Sequence, residues 1–200
     1  MIEHLTTSVR AFLALKLGDE IESAIAAFID ELRAPRDCIR WVPRGNLHLT
    51  LKFLGDAVPP DRLASLARAV SLLAHETPAL ELVAIGAGAF PNLARPRVVW
   101  VAIGGDGLAT LASRVETAAV HCGFARDARP WSPHMTIGRI RDSRKFTTAR
   151  AAIERHAHRR FGAARVSAIA LFRSIRGNTA STYHELATFP FSPCHSEPQP

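Results

Sequence analysis

The order of predicted elements indicates an α+β protein of two similar lobes, with antiparallel sheets that line a central cleft and helices that pack outside. Strands and helices follow one another in runs of strand, helix, strand and strand, instead of the strict alternation that builds a parallel sheet. A strand that carries a histidine and a threonine two residues apart occurs twice, and a helical pattern follows each copy. This recurrence suggests the two lobes, although the identity between the halves is too low to demonstrate a repeat.

The first half of the chain alternates short apolar runs with two amphipathic patterns. Apolar residues at 21, 25, 28, 29 and 32 have helical spacing, and Pro59-Pro60-Asp61 is a typical helix start. We expect, in order, a strand over 10–17, a helix over 18–32, a strand over 39–42, a histidine strand that ends at Gly55, a helix over 59–73 and a strand over 79–85.

Glycines and prolines divide the second half. Residues 86–96 have loop composition, but no Lys-Ser/Thr pair follows at the spacing that a phosphate loop needs. We expect, after that loop, a strand over 97–103, a helix over 108–122, the second histidine strand over 133–140, a helix over 147–160, and strands over 164–172 and 182–187 joined through Gly177-Asn178. The sequence thus predicts one domain over 1–191, and a disordered tail rich in Pro and Ser over 192–200.

Composition and charge narrow the class of partner. The chain has 200 residues, 48% of them hydrophobic, which is enough for a sizeable core. The formal net charge of +7 favours a polyanion such as nucleic acid as the partner, although solubility alone is the ordinary alternative. Most of the positive charge is arginine, whose planar guanidinium suits phosphate.

Cysteine usage and hydropathy bear on the location. Cys38, Cys122 and Cys194 are widely scattered and have no paired metal-ligand spacing, so we expect reduced thiols and no zinc site. The sequence shows neither an export signal nor a long apolar run, and we therefore predict a cytoplasmic protein with no membrane partner.

Two His-x-Thr segments carry the chemistry: His48 with Thr50, and His134 with Thr136. Alternate residues of a strand point to opposite faces, so His48 and Thr50 share one face while the intervening leucine faces the other way. If His134 and Thr136 behave alike, two imidazoles and two hydroxyls line one site. Such a set suits acid-base chemistry on a phosphodiester, because imidazole titrates near neutral pH.

The tripeptide alone is a weak signal, since His-x-Thr occurs four times in the chain. The copy at 4–6 lies before any periodic pattern, and the copy at 75–77 runs into Pro78 at the end of a helical pattern, so we interpret both as coincidences. A half-buried histidine bonded to its own sheet remains the ordinary alternative at the other two positions.

The surrounding motifs resemble a known family. Trp41-Val42-Pro43 followed by 46–55 resembles the first signature of the bacterial RNA 2′,3′-cyclic phosphodiesterases, once called 2′-5′ RNA ligases, in the two-histidine phosphoesterase superfamily. Residues 133–139 resemble the second signature. Further similarities occur in the family's order at 12–15, at 88–91 with 96–100, and at 171–174 with Tyr183.

The resemblance implies a bilobal enzyme that hydrolyses the 2′,3′-cyclic phosphate of an RNA 3′ end to a 2′-phosphomonoester, without a metal or other cofactor. Some relatives also join RNA halves reversibly by a 2′-5′ bond. By the same resemblance His48 is the proton donor and His134 the proton acceptor, while Thr50, Thr136 and Arg139 bind the phosphate. The implied partners are RNAs with cyclic ends, tRNA fragments among them, and we expect a monomer.

Strand geometry leaves several side chains open. On a regular strand Thr136 shares the face of His134 but Arg139 does not, unless a bulge at Gly138 re-aims it. Lys52 falls on the face of His48, and we interpret it as a rim lysine without a catalytic task. Four aromatic residues could stack on a terminal base, although a core position is the ordinary alternative for each: Phe53, Phe90, Trp100 and Trp131.

Three functions therefore remain open from the sequence. The first is the cyclic phosphodiesterase, and the second is the same machinery acting on a 2′-5′ oligonucleotide or on a cyclic phosphate of ADP-ribose. The third is a noncatalytic RNA-binding module, which would bind RNA with a strong salt dependence and leave cyclic phosphates intact.

Overall fold

The computed structural model describes residues 5–33, 38–142, 146–177 and 181–192. Its helices and strands follow the chain in this order: β1 (Val9–Leu15), α1 (Asp19–Leu32), β2 (Ile39–Trp41), β3 (Leu49–Val58), α2 (Pro60–His75), β4 (Leu80–Phe90), β5 (Val98–Gly104), α3 (Leu108–His121), β6 (His134–Ile140), α4 (Thr147–Arg155), β7 (Arg160–Val166), β8 (Ala168–Arg176) and β9 (Ser181–Pro190).

The strands form one antiparallel sheet with two similar halves. Within the described ranges the sheet has nine strands in the order β7-β4-β5-β6-β3-β1-β8-β9, and β2 pairs with the edge of β6. The half β3-β1-β8-β9 and the half β6-β5-β4-β7 are ordered alike away from the β3–β6 boundary. Each half is one lobe, and the predicted α+β class with two similar lobes is confirmed.

The helices cover one face of the sheet. In α1 the acidic residues Asp19, Glu20 and Glu22 occupy the first turn, where they complement the helix dipole. Helix α1 contacts β7, α2 contacts β8 and β9, α3 contacts β3, and α4 contacts β4. One apolar core fills the space beneath them. None of the helices in the described ranges is long and apolar enough to cross a membrane.

The predicted loop over 86–96 is wrong in its first part, because β4 continues to Phe90. Gly88 lies opposite Trp100 of β5, and a Cβ at this position would meet the indole ring at 2.4 Å. The glycine therefore allows an aromatic ring to lie against the strand. Gly86, with φ of 81°, marks an irregularity in the same ladder. The glycines that gave this segment its loop-like composition therefore lie in an irregular strand.

The predicted helix over 147–160 is too long, and the start of the strand after it was missed. Helix α4 ends at Arg155, and β7 begins at Arg160 and pairs with β4. The predicted strand over 164–172 is in fact the end of β7 and the start of β8, with Ser167 between them.

The structure describes only part of the segments for which the sequence predicts a tail and a turn. Ser192 donates its N–H to the carbonyl of Thr77, at 2.9 Å. Residues 193–200, the remainder of the predicted tail, lie outside the described residues, as does Asn178 of the predicted turn.

Candidate active site

The sheet register brings the two His-x-Thr segments side by side where the lobes meet. Leu49 of β3 lies opposite Met135 of β6, and both side chains are fully buried. In an antiparallel ladder this register sets His48 across from Thr136, and Thr50 across from His134. The polar side chains then share the face opposite the core. The two histidines are diagonal neighbours, a relation that separates residues by about 7–8 Å and their Cβ atoms by somewhat less.

Both imidazoles are held in the same way. The Nδ1 atom of His48 lies 2.8 Å from the carbonyl oxygen of Asn46, and that of His134 lies 2.8 Å from the carbonyl oxygen of Ser132. A carbonyl only accepts, so each Nδ1 carries a proton and donates it. This assigns the tautomer and leaves Nε2 of each ring as the atom available for proton transfer.

Aromatic side chains fix the orientation of both rings. His48 stacks on Phe12 with ring centroids 4.8 Å apart and meets Tyr183 edge-on at 5.1 Å. His134 meets Phe90 edge-on at 4.9 Å. These contacts leave each imidazole little rotational freedom, so the geometry is set before a substrate arrives.

A β-bulge follows the threonine of each segment. Along the β1–β3 ladder Ala14 pairs with Thr50 but Leu13 pairs with Lys52, so Leu51 is an extra residue. Along the β5–β6 ladder Trp100 pairs with Thr136 but Val99 pairs with Gly138, so Ile137 is likewise an extra residue. An extra residue reverses the faces of the residues after it. The two strands thus share a bulge at equivalent positions, which a regular alternation could not reveal.

The bulges decide where three residues point. Arg139, five residues after His134, returns to the cavity face, and Phe53, five residues after His48, occupies the equivalent position. Phe53 is 41% exposed rather than in the core. The interpretation of Lys52 as a rim lysine is wrong: its side chain is buried and contacts Glu116 at 2.8 Å and Asp127 at 2.9 Å.

Burial and positive charge lower the pKa of both histidines. Desolvation is the largest cause of the lowered pKa of His48, and Arg139 and His134 lower it further. The pKa of His134 is also lowered, first by burial and then by Arg139. The bonds to the Asn46 and Ser132 carbonyls oppose these shifts. A bound phosphate anion would favour the protonated form of either ring.

A cavity of about 470 Å³ opens on this face of the sheet. His48, Thr50 and Arg139 line it. His134 and Thr136 are not part of its wall and lie across the β3–β6 pairing from Thr50 and His48. Further guanidinium groups of the wall come from Arg10, Arg40 and Arg176. The wall is therefore strongly cationic and suited to a phosphorylated ligand.

Sequence reasoning missed two of these arginines. Arg10 lies two residues before Phe12 on β1, and Arg176 lies two residues after Ser174 on β8, so strand alternation puts each pair on one face. All four residues line the cavity. The signal was therefore present in the alternation, but it needed the pairing of β1 with β8 to become visible.

Comparison with known proteins settles the family. The model of the 2′-5′ RNA ligase superfamily matches residues 21–178. This chain belongs to that superfamily. An RNA 2′,3′-cyclic phosphodiesterase of Methanothermobacter thermautotrophicus is 30% identical over 90% of this chain and 98% of its own length. One of Geobacillus stearothermophilus is 34% identical over 64% of this chain, and the matched region is 41% of that relative.

The superfamily fold is also evident from solved structures. The crystal structure of Escherichia coli LigT complexed with 3′-AMP superimposes with a TM-score of 0.74, at 26% identity, over 93% of this chain and 99% of that one. The structure of this superfamily member shows no metal-binding cluster in the part of the chain that it describes. In those residues, no three histidine, cysteine, aspartate or glutamate side chains are placed to hold a metal ion together.

Proposed function

We propose that this protein hydrolyses RNA 2′,3′-cyclic phosphate ends to 2′-phosphomonoesters, by paired histidine acid-base catalysis and without a metal. One observation carries the proposal. The two imidazoles lie diagonally across the β3–β6 ladder, and each has Nδ1 bound to a carbonyl and Nε2 available. The names of the relatives, and the 3′-phosphorylated nucleotide in the LigT complex, support the same substrate class.

The step requires one proton to be removed while another is delivered. Nε2 of neutral His134 accepts a proton from water, and the water oxygen forms a bond to phosphorus. The bond between phosphorus and the 3′ oxygen breaks, and protonated His48 donates its Nε2 proton to that oxygen. The product is a 2′-phosphomonoester with a free 3′ hydroxyl. Each imidazole ends in the protonation state in which the other began.

The assignment of the acid to His48 rests on the family resemblance and agrees with its surroundings. His48 is packed between Phe12 and Tyr183, where the field of a bound anion is poorly screened. The substrate phosphate therefore opposes the lowering of the His48 pKa and favours the protonated ring. The pKa of His134 is lowered by burial and by Arg139, which favours the neutral ring that a base requires.

Thr50, Thr136 and Arg139 are proposed to bind the non-bridging phosphate oxygens. Both threonines are partly exposed on the histidine face, and each lies across from the histidine of the other segment. Arg139 reaches the cavity because of the bulge at Ile137. Donors that are already in place stabilise the charge that develops in the transition state.

The same geometry allows 2′-5′ joining. If the 5′ hydroxyl of a second RNA takes the place of water, the identical proton transfers form a 2′-5′ phosphodiester and release the 3′ hydroxyl. The reverse reaction uses the two histidines in exchanged roles. We include this reversible ligation in the proposal, since the chain belongs to a superfamily described by that reaction.

Phosphorus NMR after incubation with adenosine 2′,3′-cyclic phosphate in excess chelator tests the proposal. The expected product is the 2′-monophosphate, at an undiminished rate in chelator. His48→Ala and His134→Ala serve as inactive controls. A protein that binds RNA but leaves the cyclic phosphate intact would instead be the binding module, and faster turnover of a 2′-5′ oligonucleotide or of a cyclic phosphate of ADP-ribose would reassign the substrate.

Three further parts of the proposal concern the whole protein. We propose a single domain over 1–191, a monomer, and a cytoplasmic location where RNA fragments with cyclic ends, such as those of tRNA, would be substrates. Size-exclusion chromatography with light scattering tests the monomer. Enrichment of cyclic-ended tRNA fragments in cells that lack the protein tests the substrate.

A further inference from the structure

Two cavities meet at His48 and Tyr183, and they differ in charge. The cavity of about 470 Å³ has four arginines in its wall: Arg10, Arg40, Arg139 and Arg176. The other, of about 510 Å³, has three carboxylates and one lysine: Asp19, Glu22, Glu185 and Lys16. A nucleotide chain that leaves the histidines therefore has one electrostatically favourable direction, toward the arginines.

The arginine side contains a small cluster around Asp56. Arg10 and Arg176 both donate to the Oδ1 atom of Asp56, the latter at 3.0 Å. The Arg10 guanidinium also lies over the ring of Phe53, 4.3 Å from its centroid. The Asp56 carboxylate accepts hydrogen bonds from two guanidinium groups at a position where a phosphodiester oxygen could also bind. Both anions accept hydrogen bonds from the same planar donors.

From this cluster we infer that Arg10 and Arg176 form a subsite for the phosphate on the 5′ side of the terminal nucleotide, with Asp56 as its internal substitute and Phe53 as a platform for the preceding base. The inference rests on the proposed function. The side chains of Arg176 and Asp56 are 68% and 62% exposed, so their ion pair is weak and a phosphate can displace the carboxylate.

The arginine-lined surface continues beyond the first cavity, as the binding of a longer RNA would require. A third cavity, of about 310 Å³, shares Arg10, Ser174 and Arg176 with the first and adds Arg173. Arg173 itself lies opposite Ala11 in the β1–β8 ladder, so this wall is part of the sheet. An RNA chain bound along this surface would remain in contact with arginine side chains beyond its first upstream phosphate.

Three substrates separate the contribution of the upstream phosphate to kcat/KM from that of the preceding base. Adenosine 2′,3′-cyclic phosphate has no upstream phosphate, its 5′-phosphorylated form has one, and the ApA dinucleotide with a cyclic end has both a phosphodiester and a preceding base. The measurement is kcat/KM for each. We expect the 5′ phosphate to raise kcat/KM about tenfold, as for one charge-assisted contact, and the second nucleoside to raise it further by stacking.

Variants should change these ratios in opposite directions. Arg176→Ala should bring the ratio between the 5′-phosphorylated and unphosphorylated mononucleotides close to one. Asp56→Asn should increase that ratio, because it removes the competing anion. Phe53→Ala should lower only the gain from the second nucleoside. Arg68→Ala, an exposed arginine on α2 whose guanidinium bonds Ser65, is the matched control and should leave all ratios as they are.

The outcomes separate the subsite from the proposed function. Hydrolysis of the cyclic mononucleotide without any gain from the 5′ phosphate, or a gain that Arg176→Ala leaves intact, would overturn the subsite and preserve the function. If no substrate is hydrolysed, the function fails. Calorimetry then decides the subsite alone: adenosine 3′,5′-bisphosphate should bind more tightly than adenosine 3′-monophosphate, and equal affinities would overturn it.

Discussion

At the residue scale, each histidine depends on one backbone carbonyl for its tautomer, whereas each threonine has a single hydroxyl to offer the substrate. We therefore expect His48→Ala or His134→Ala to lower kcat/KM by about 10²–10⁴, the usual contribution of a general acid or base. Thr50→Val or Thr136→Val, which keeps the shape and removes the hydroxyl, should cost about tenfold. Steady-state kinetics on a cyclic mononucleotide measures both, and equal losses for threonine and histidine variants would contradict the roles.

We expect burial and the charge of Arg139 together to set the pH range of activity. The base must be neutral and the acid protonated, so kcat/KM falls as pH drops through one histidine pKa and as it rises through the other. Burial first, and Arg139 in addition, lower the pKa of both rings. The kcat/KM optimum should therefore lie below about pH 6.5, the ordinary imidazole value.

Replacing Arg139 tests this electrostatic role. Arg139→Ala removes a positive charge beside both rings, so both pKa values rise and the whole bell-shaped profile of kcat/KM moves to higher pH. Arg139→Lys keeps the charge and should keep the profile. An Arg139→Ala profile that stays in place or moves to lower pH would show that Arg139 does not act on the histidines through its charge.

At the element scale, strand β2 is held against the bulged part of β6 by a close approach at Gly138. A Cβ there would meet Ile39 Cγ2 at 2.6 Å and Trp41 Cε3 at 3.0 Å. We expect Gly138→Ala to lower the free energy of unfolding by about 1–3 kcal/mol, as overpacking does. Gly104→Ala adds a methyl group to open space on β5 and should stay within about 0.5 kcal/mol. Urea denaturation of both variants measures the difference.

Lys52 connects strand β3 to the segment that leads into β6. Its ammonium group contacts Glu116 and Asp127 and donates to the carbonyl of Ala125 at 2.9 Å. Burial alone would raise the pKa of Glu116, but hydrogen bonds from Lys52 and from the Asp127 N–H lower it. Lys52→Met leaves these carboxylates without their cation.

We expect Lys52→Met to cost about 2–4 kcal/mol, somewhat less than a fully enclosed pair because the Asp127 side chain is 53% exposed. The matched control is Lys16→Met, which breaks an exposed pair with Glu185 and should cost at most about 1 kcal/mol. Thermal unfolding followed by circular dichroism measures both. Equal losses would show that the buried cluster contributes no more than a surface ion pair.

At the scale of the whole molecule, patterns within one element were readable from the sequence, and patterns that depend on pairing were not. The spacing of apolar residues predicts α1 and α2, and Pro60 lies in the first turn where a helix start was expected. The start of β7 was missed and its end was merged with β8, because β7 follows α4 closely and its burial depends on pairing with β4. Its Arg-rich composition resembles the helix before it.

The site shows the same limit. His48, Thr50, His134 and Thr136 have fixed spacing within a strand, so alternation predicts their shared face. The bulges at Leu51 and Ile137 are defined only against the partner strands, and they reverse the faces of Lys52, Phe53 and Arg139. Arg10 and Arg176 come from strands far apart in sequence, and the β1–β8 pairing brings them together.

The boundary between the lobes sets the distance between the two histidines. Leu49 and Met135 meet there, and Trp131 Nε1 donates to the Thr50 carbonyl at 3.1 Å across the same boundary. Met135→Ala should destabilise the protein by about 2–5 kcal/mol, and so should Ile153→Ala in α4, since both side chains are fully buried.

The two variants should differ in turnover. Met135→Ala lets β3 and β6 shift relative to each other, and a displacement of about 1 Å between catalytic groups can cost about a hundredfold in rate. We therefore expect kcat of Met135→Ala to fall at least about tenfold below that of Ile153→Ala. Both are measured at a temperature where both are folded. Equal kcat values would mean that the histidine spacing is maintained elsewhere than at the β3–β6 boundary.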